Sequence, residues 1–230
     1  MDDFFARSEA LLGTKAMETL RNTRVIIFGV GGVGSYAAEA LIRTGLTHLT
    51  LVDGDTVQPS NLNRQLPATR ATIGLPKVDA LKARLLEINP DAEIETLPIM
   101  ANSQWLTANG LNYDYVIDAI DSVNDKTDLI LYATRARVKI FSSMGAALRF
   151  DPTQVTTGEL MTIKGDALAK AVRARMKKLD LHPYKKVRCV YSTEQAQRCE
   201  TRGSLMQVTA VFGLTLASLV IQDITNQAKL

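Results

Sequence analysis

Residues 24–44 read RVIIFGVGGVGSYAAEALIRT, and this stretch decides the fold. Residues 24–29 form a short apolar run rich in β-branched side chains, the pattern of a buried strand. Val33, Ala37, Ala40 and Leu41 then recur at helical spacing up to residue 44. Between the two lies Gly29-Val30-Gly31-Gly32-Val33-Gly34, a GxGxxG turn set directly between strand and helix, the context that gives this motif meaning. Gly29 permits the tight turn, Gly31 and its neighbour Gly32 let phosphate oxygens approach the backbone, and Gly34 lets the helix pack closely. The helix start adds free N–H groups and a partial positive charge. Asp53, 19 residues past Gly34 at the end of the next apolar run, is placed to accept hydrogen bonds from ribose hydroxyls. Together these features predict a site for an adenine nucleotide.

Outward from the turn the pattern repeats. Residues 48–53 read as a strand, 76–89 as a helix with Val78, Leu81, Leu85 and Ile88 on one face, and 92–98 as a strand. A strand at 113–118, a helix at 126–137 and a strand at 139–143 follow. Alternation of this kind implies an α/β, Rossmann-like, mostly parallel sheet with helices on both faces. Beyond Asp151-Pro152 the rhythm changes to a short strand at 154–157, a basic helix at 166–178, a strand at 187–191, a polar loop at 193–204 and an apolar terminal helix. The division expected is a nucleotide-binding core over residues 1–150 and an antiparallel extension over 151–230 on the same sheet.

Composition bounds the rest. Hydrophobic residues at 46% and charged residues at 22% of 230 describe an ordinary globular chain and exclude a disordered or collagenous one. Cys189 and Cys199 match neither a CxxC pair nor half of a four-thiolate zinc site, and read as reduced thiols. No basic region followed by an apolar stretch opens the chain, so a cytoplasmic location is expected. The net charge of +3 is unevenly spread: nine Lys or Arg stand between Lys164 and Arg188 against Asp166 and Asp180, a footprint suited to a polyanion. Residues 205–224 are long enough to span a bilayer, but their Gln, Thr and Ser content favours a helix buried in protein, and membrane association is not expected.

The glycine turn leaves open whether the nucleotide is NAD or ATP. ATP carries about four negative charges, more than a helix end alone handles, and normally needs cations and Mg2+. Residues 53–65, DGDTVQPSNLNRQ, supply Arg64; Lys77 opens the next helix; and Asp121 follows a predicted strand where a metal can sit. Two cations and a carboxylate at the C-terminal rim of a parallel sheet favour phosphoryl or nucleotidyl chemistry over hydride transfer.

With those residues assembled, the chain resembles the ubiquitin-activating-enzyme-like adenylating family, whose bacterial members include ThiF and MoeB. The resemblance covers residues 1–150 through GVGGVGSYAAEAL, LVDGDTVQPSNLNRQ, GLPK and VIDAIDS. It implies that Asp53 binds ribose, that Asn61, Arg64 and Lys77 contact the phosphates of ATP within a site that includes Asp55, and that Asp121 binds Mg2+. Arg7 looks like the arginine that this family donates across a dimer, which implies a homodimer. The family's two CxxC pairs are missing, so zinc is not expected. SSMGAA (residues 142–147), DPTQV (151–155) and CVYSTE (189–194) look instead like the tRNA threonylcarbamoyladenosine dehydratase branch. That resemblance implies ATP-dependent cyclisation of the threonylcarbamoyl group on the adenosine at tRNA position 37, beside the anticodon, with release of AMP and pyrophosphate. It further implies tRNA as partner, a sulfur-transfer accessory protein and a structural alkali cation, Na+ or K+. Cys189 is a candidate for a transient thioester, although a lone Cys in an apolar strand more often packs. The alternative is adenylation of the Gly-Gly terminus of a ubiquitin-like sulfur carrier.

Overall fold

The structure, a computed structural model, describes residues 3–201 and 203–228. Two short helices, α1 (Ala6–Leu12) and α2 (Thr14–Asn22), precede β1 (Arg24–Phe28), α3 (Gly34–Thr44) and β2 (His48–Val52). Next come α4 (Lys77–Ile88), β3 (Glu93–Leu97), α5 (Ser103–Asn109), β4 (Tyr115–Asp118), α6 (Val123–Arg135) and β5 (Lys139–Ser143). The chain ends in β6 (Val155–Glu159), α7 (Ala167–Lys178), β7 (Arg188–Ser192) and α8 (Met206–Ala228).

All seven strands form one sheet in the order β3-β2-β1-β4-β5-β7-β6. Side chains on successive strand residues point to opposite faces, so β1 sends Val25 and Ile27 into one core and Ile26 and Phe28 into the other. The first core is closed by α2, α3, α4 and α8, the second by α5, α6 and α7. Each fully buried Ile or Leu in these layers contributes about 1.5–3 kcal/mol relative to exposure. The strand order turns outward in both directions from β1 and β4, and in an open parallel sheet that reversal leaves a crevice at the strands' C-terminal ends.

Two expectations are corrected. The extension is not antiparallel throughout: β7 pairs parallel with β5, Phe141 beside Arg188, and only β6 runs antiparallel, at the edge. Helix α6 begins at Val123, three residues before the expected start, because Ser122 caps it by accepting from the Asp125 backbone N–H. The apolar terminal helix packs along α3. At Gly213 a Cβ would stand 2.2 Å from the Val33 carbonyl oxygen, so a side chain there would force the two helices apart. Val208, Phe212, Leu216 and Val220 fill that seam.

Candidate active site

A cavity of about 680 Å³ opens at the C-terminal ends of β1, β2, β4 and β5. The glycine turn forms one wall. Gly29 sits at φ +85°, and a Cβ there would lie 2.8 Å from the Ala119 carbonyl oxygen, so the turn rests directly on the segment after β4. At Gly34 a Cβ would fall 1.8 Å from the Gly29 carbonyl oxygen, which leaves hydrogen as the only tolerable substituent.

Asp53 directly follows β2 and braces this turn: its Oδ2 accepts from the Val30 N–H at 2.9 Å and its Oδ1 from the Asp55 N–H at 3.0 Å. Each carboxylate oxygen keeps a lone pair for a further donor. Asp55 reaches Lys77, whose Nζ lies 2.6 Å from Asp55 Oδ2 and 3.9 Å from Asp53 Oδ1. Lys77 opens α4 and is only 6% exposed, so its ammonium sits where loss of water strengthens its pull on an anion. Asn61 is buried in a short 3-10 turn (Pro59–Asn61), and its Oδ1 accepts from the Gln58 N–H at 2.9 Å. One turn on, Arg64 donates from Nη1 to the Ser60 carbonyl at 2.8 Å and to Asn63 Oδ1 at 2.9 Å. Asp121, exposed after β4, and Asp125 on α6 line the opposite wall.

The cavity therefore gathers Gly29, Gly31, Gly32, Asp53, Asp55, Asn61, Arg64, Lys77 and Asp121 from the residues singled out in the sequence. Gly34 lies behind the turn. Arg7 is exposed on α1 and does not line the cavity. Cys189 does not line it either: it is fully buried within β7, and burial pushes its thiol well above the ordinary range, which keeps it protonated and suits packing rather than nucleophilic attack.

Two features escaped the sequence reading. Gln65 is buried beside Gly31 and lines the cavity with its Oε1 unpaired among the described residues, an arrangement that asks for a polar ligand. Its position directly after Arg64 was the available signal. The second lies beneath the floor. Lys126 of α6 is wholly buried and donates to Asp118 Oδ2 at 2.6 Å, to the Ser143 carbonyl at 2.9 Å and to Ser142 Oγ at 3.3 Å. Ser142 also donates to Asp118 Oδ2 at 2.6 Å, and Asp118 Oδ1 accepts from the Ile120 N–H at 3.0 Å. This network ties the end of β4 to the end of β5, and the residues just past both ends, Ala119–Asp121 on one side and Met144–Ala147 on the other, line the cavity.

A model of the ThiF family matches residues 5–230. The chain belongs to the ThiF family. Among ThiF family relatives, the tRNA threonylcarbamoyladenosine dehydratase of Bacillus subtilis is 40% identical over 191 residues, 83% of this chain and 74% of that protein. The crystal structure of Escherichia coli tRNA N6-threonylcarbamoyladenosine dehydratase, TcdA, in complex with ATP superposes with a TM-score of 0.93 at 35% identity, over 99% of this chain and 96% of that one. The E. coli molybdopterin-synthase adenylyltransferase is 37% identical, but over 134 residues, 58% of this chain and 53% of that protein.

Proposed function

We propose that this ThiF family chain is an ATP-dependent tRNA threonylcarbamoyladenosine dehydratase. The observation that carries the reading is the near-complete superposition on a TcdA structure holding ATP, extension included, whereas similarity to the sulfur-carrier adenylyltransferase stops at little more than half of the chain. The segment after β5 and the start of α7 add the argument from chemistry. Met144–Ala147 and Leu168 give the cavity a wall beyond the nucleotide-binding turn, where an acyl substrate has room.

A carboxylate resists attack because its leaving group would be oxide, and adenylation replaces that group with AMP. The glycine turn and the start of α3 take the phosphates, and Asp53 takes the ribose hydroxyls. Arg64 and Lys77 then lie beside the triphosphate. A carboxylate oxygen of the threonylcarbamoyl group attacks the α-phosphorus, the bond to the bridging oxygen breaks, and pyrophosphate leaves with the negative charge that Arg64 and Lys77 stabilise. An internal nitrogen of the same side chain next attacks the acyl carbon, loses its proton and expels AMP. Ring closure is intramolecular and gains high effective molarity. Lys77 exchanges its contact with Asp55 for one with phosphate, so binding of the nucleotide opens that ion pair.

The donor set fits Mg2+, which binds through one or two carboxylates together with substrate phosphates and keeps several waters. Asp121 would hold it with Asp125 nearby, and the ion would neutralise phosphate charge. We further propose that the enzyme works in the cytoplasm as a homodimer in which Arg7 serves the partner's site. The reading is tested by incubating the protein with ATP and tRNA that carries threonylcarbamoyladenosine. AMP formed in step with a nucleoside one water lighter is expected. AMP formed only with a Gly-Gly-tailed carrier protein would replace the reading with the alternative.

A further inference from the structure

The basic segment does not surround the cavity; it leads away from it. Asp166 fixes where it starts. Its Oδ1 caps α7 by accepting from the Ala169 N–H at 2.8 Å, and its Oδ2 accepts from the Gly145 N–H at 3.1 Å and from Arg149 Nη2 at 3.3 Å. Gly145 and Leu168 both line the cavity, so the first turn of α7 is part of its wall. From there α7 runs against the strand direction, because β7 re-enters the sheet parallel to β5 immediately afterwards. Its 12 residues cover ~18 Å at about 1.5 Å each. The turn at residues 179–187 therefore lies at the far end of the sheet, where the Tyr184 N–H donates to Thr134 Oγ1 at 3.3 Å and the Arg135 guanidinium stands 5.8 Å from the Tyr184 ring centre.

The charges on this path divide by residue type. The three arginines have internal tasks: Arg173 donates to the Leu160 carbonyl, Arg175 pairs with Asp128 at 3.0 Å, and Arg188 donates to Thr157. The lysines do not. Lys164, Lys170, Lys177, Lys178, Lys185 and Lys186 are all exposed and make no hydrogen bond or ion pair among the described residues. Lys170 and Lys177, two turns apart, share a face. At the far turn Leu179, Leu181 and Tyr184 are 42%, 46% and 67% exposed, so apolar surface is interleaved with the distal lysines. A solvated helix face has no need of that combination, whereas an RNA surface uses it: lysines for phosphates, an open ring for an unpaired base or ribose.

We propose that this ridge carries the tRNA beyond its modified loop, with the distal turn engaging the body of the molecule, so that the enzyme reads a whole tRNA and not the anticodon stem-loop alone. The inference rests on the dehydratase reading and adds to it the surface and the extent of the substrate. A nucleic-acid duplex carries roughly one charge per 1.7 Å of axis with both strands counted, so ~18 Å of duplex alongside the helix holds about ten phosphates in all, of which one face turns toward the lysines. Recognition of this kind follows the shape and charge of the RNA and tolerates different stem sequences.

The test compares full-length modified tRNA with an isolated stem-loop bearing the same modification. The proteins are wild type, a variant combining Lys177→Ala, Lys178→Ala, Lys185→Ala and Lys186→Ala, and a second with only Lys185→Ala and Lys186→Ala, which leaves α7 intact. Wild type is expected to favour the full-length tRNA in kcat/KM. The fourfold variant is expected to lower its efficiency to that of the stem-loop. Loss of four phosphate contacts flattens the dependence of log KM on log salt by about 3, so the weakening between 50 and 200 mM salt shrinks by about 10²-fold. The double variant is expected to show roughly half that change in slope. An unaltered substrate ratio and salt slope in both variants would overturn the proposal. Failure of wild type to turn over either RNA would overturn the dehydratase reading itself, and the proposal with it.

Discussion

Replacing Lys126 by Met removes the cation from a network with no access to water. Asp118 and Lys126 are both 0% exposed, and Nζ makes three hydrogen bonds, to Asp118, Ser142 and Ser143. In K126M the side chain still fills the space, but the Asp118 carboxylate stays buried with only the Ser142 hydroxyl and the Ile120 N–H as donors. Breaking one side of a buried ion pair costs about 3–5 kcal/mol. For a chain of this size each kcal/mol moves Tm by about 2–4 °C, so a fall of about 6–20 °C is expected. The charge argument is isolated by adding Asp118→Asn, whose amide oxygen still accepts from Ile120 without a charge to strand. The double variant is expected to regain at least about 2 kcal/mol, since removal of both charges lifts most of the desolvation penalty. Thermal melts measure the Tm shift and urea titrations followed by fluorescence and by circular dichroism measure the two free-energy changes, and coincident transitions establish that one ΔG describes each protein. Adenylation should fall in K126M as well, because the turn after β4 and the segment after β5 form two cavity walls. K126M as stable as wild type, or a double variant no better than the single, would refute the view that this pair anchors those walls.

Arg64→Ala and Lys77→Ala are each expected to slow AMP release by ~10²-fold or more, measured under saturating ATP, because in the proposed mechanism each stabilises the charge on the departing pyrophosphate. Asp121→Asn should slow the reaction by a similar ~10²-fold and raise the Mg2+ concentration needed for half-maximal rate. Gly34→Ala sets a methyl 1.8 Å from the Gly29 carbonyl oxygen; a loss of roughly 1–3 kcal/mol or more in urea titration and of ATP binding by calorimetry is expected. Asp223 of α8 joins Lys139, Tyr115 and Gln227. Burial works to raise its pKa, but the hydrogen bonds from Lys139 and Tyr115 outweigh that and hold the carboxyl below the usual carboxylate range. A depressed carboxylate stabilises the fold above its unfolded pKa of about 3.9, and that contribution disappears as pH falls through the lower folded value. Asp223→Asn should therefore lower the urea midpoint at pH 7 and show a smaller further drop toward pH 2 than wild type.

The order of strands and helices was legible wherever a pattern of period 2 or 3.6 ran long enough to stand out, from β1 through α8. Helices α1, α2 and α5 were not read. They are seven to nine residues long, and α5 buries a single residue, Leu106, so its pattern never completes a face. The direction of β7 was out of reach for a different reason: five residues of strand look the same in a parallel and an antiparallel pair, and only the path of α7 decides. At the site, residue types and strand ends pointed to the glycine turn, Asp53, Arg64, Lys77 and Asp121, and the structure brings these residues to one cavity. The contact of Lys77 with Asp55 spans 22 residues and exists only once β2 and α4 are set side by side. Lys126 was invisible because a lysine near the start of an amphipathic helix reads as a solvent residue until β4 and β5 close over it.

The account rests on a triphosphate held at the rim of the sheet between the glycine turn and the cations of the neighbouring loop. A crystal structure with a non-hydrolysable ATP analogue and Mg2+ tests this most directly. The account predicts phosphates against Gly31 and the start of α3, ribose hydroxyls on Asp53, the Lys77 ammonium moved from Asp55 to phosphate, and the metal on Asp121. Nucleotide bound elsewhere, or a triphosphate out of reach of both Arg64 and Lys77, would contradict it.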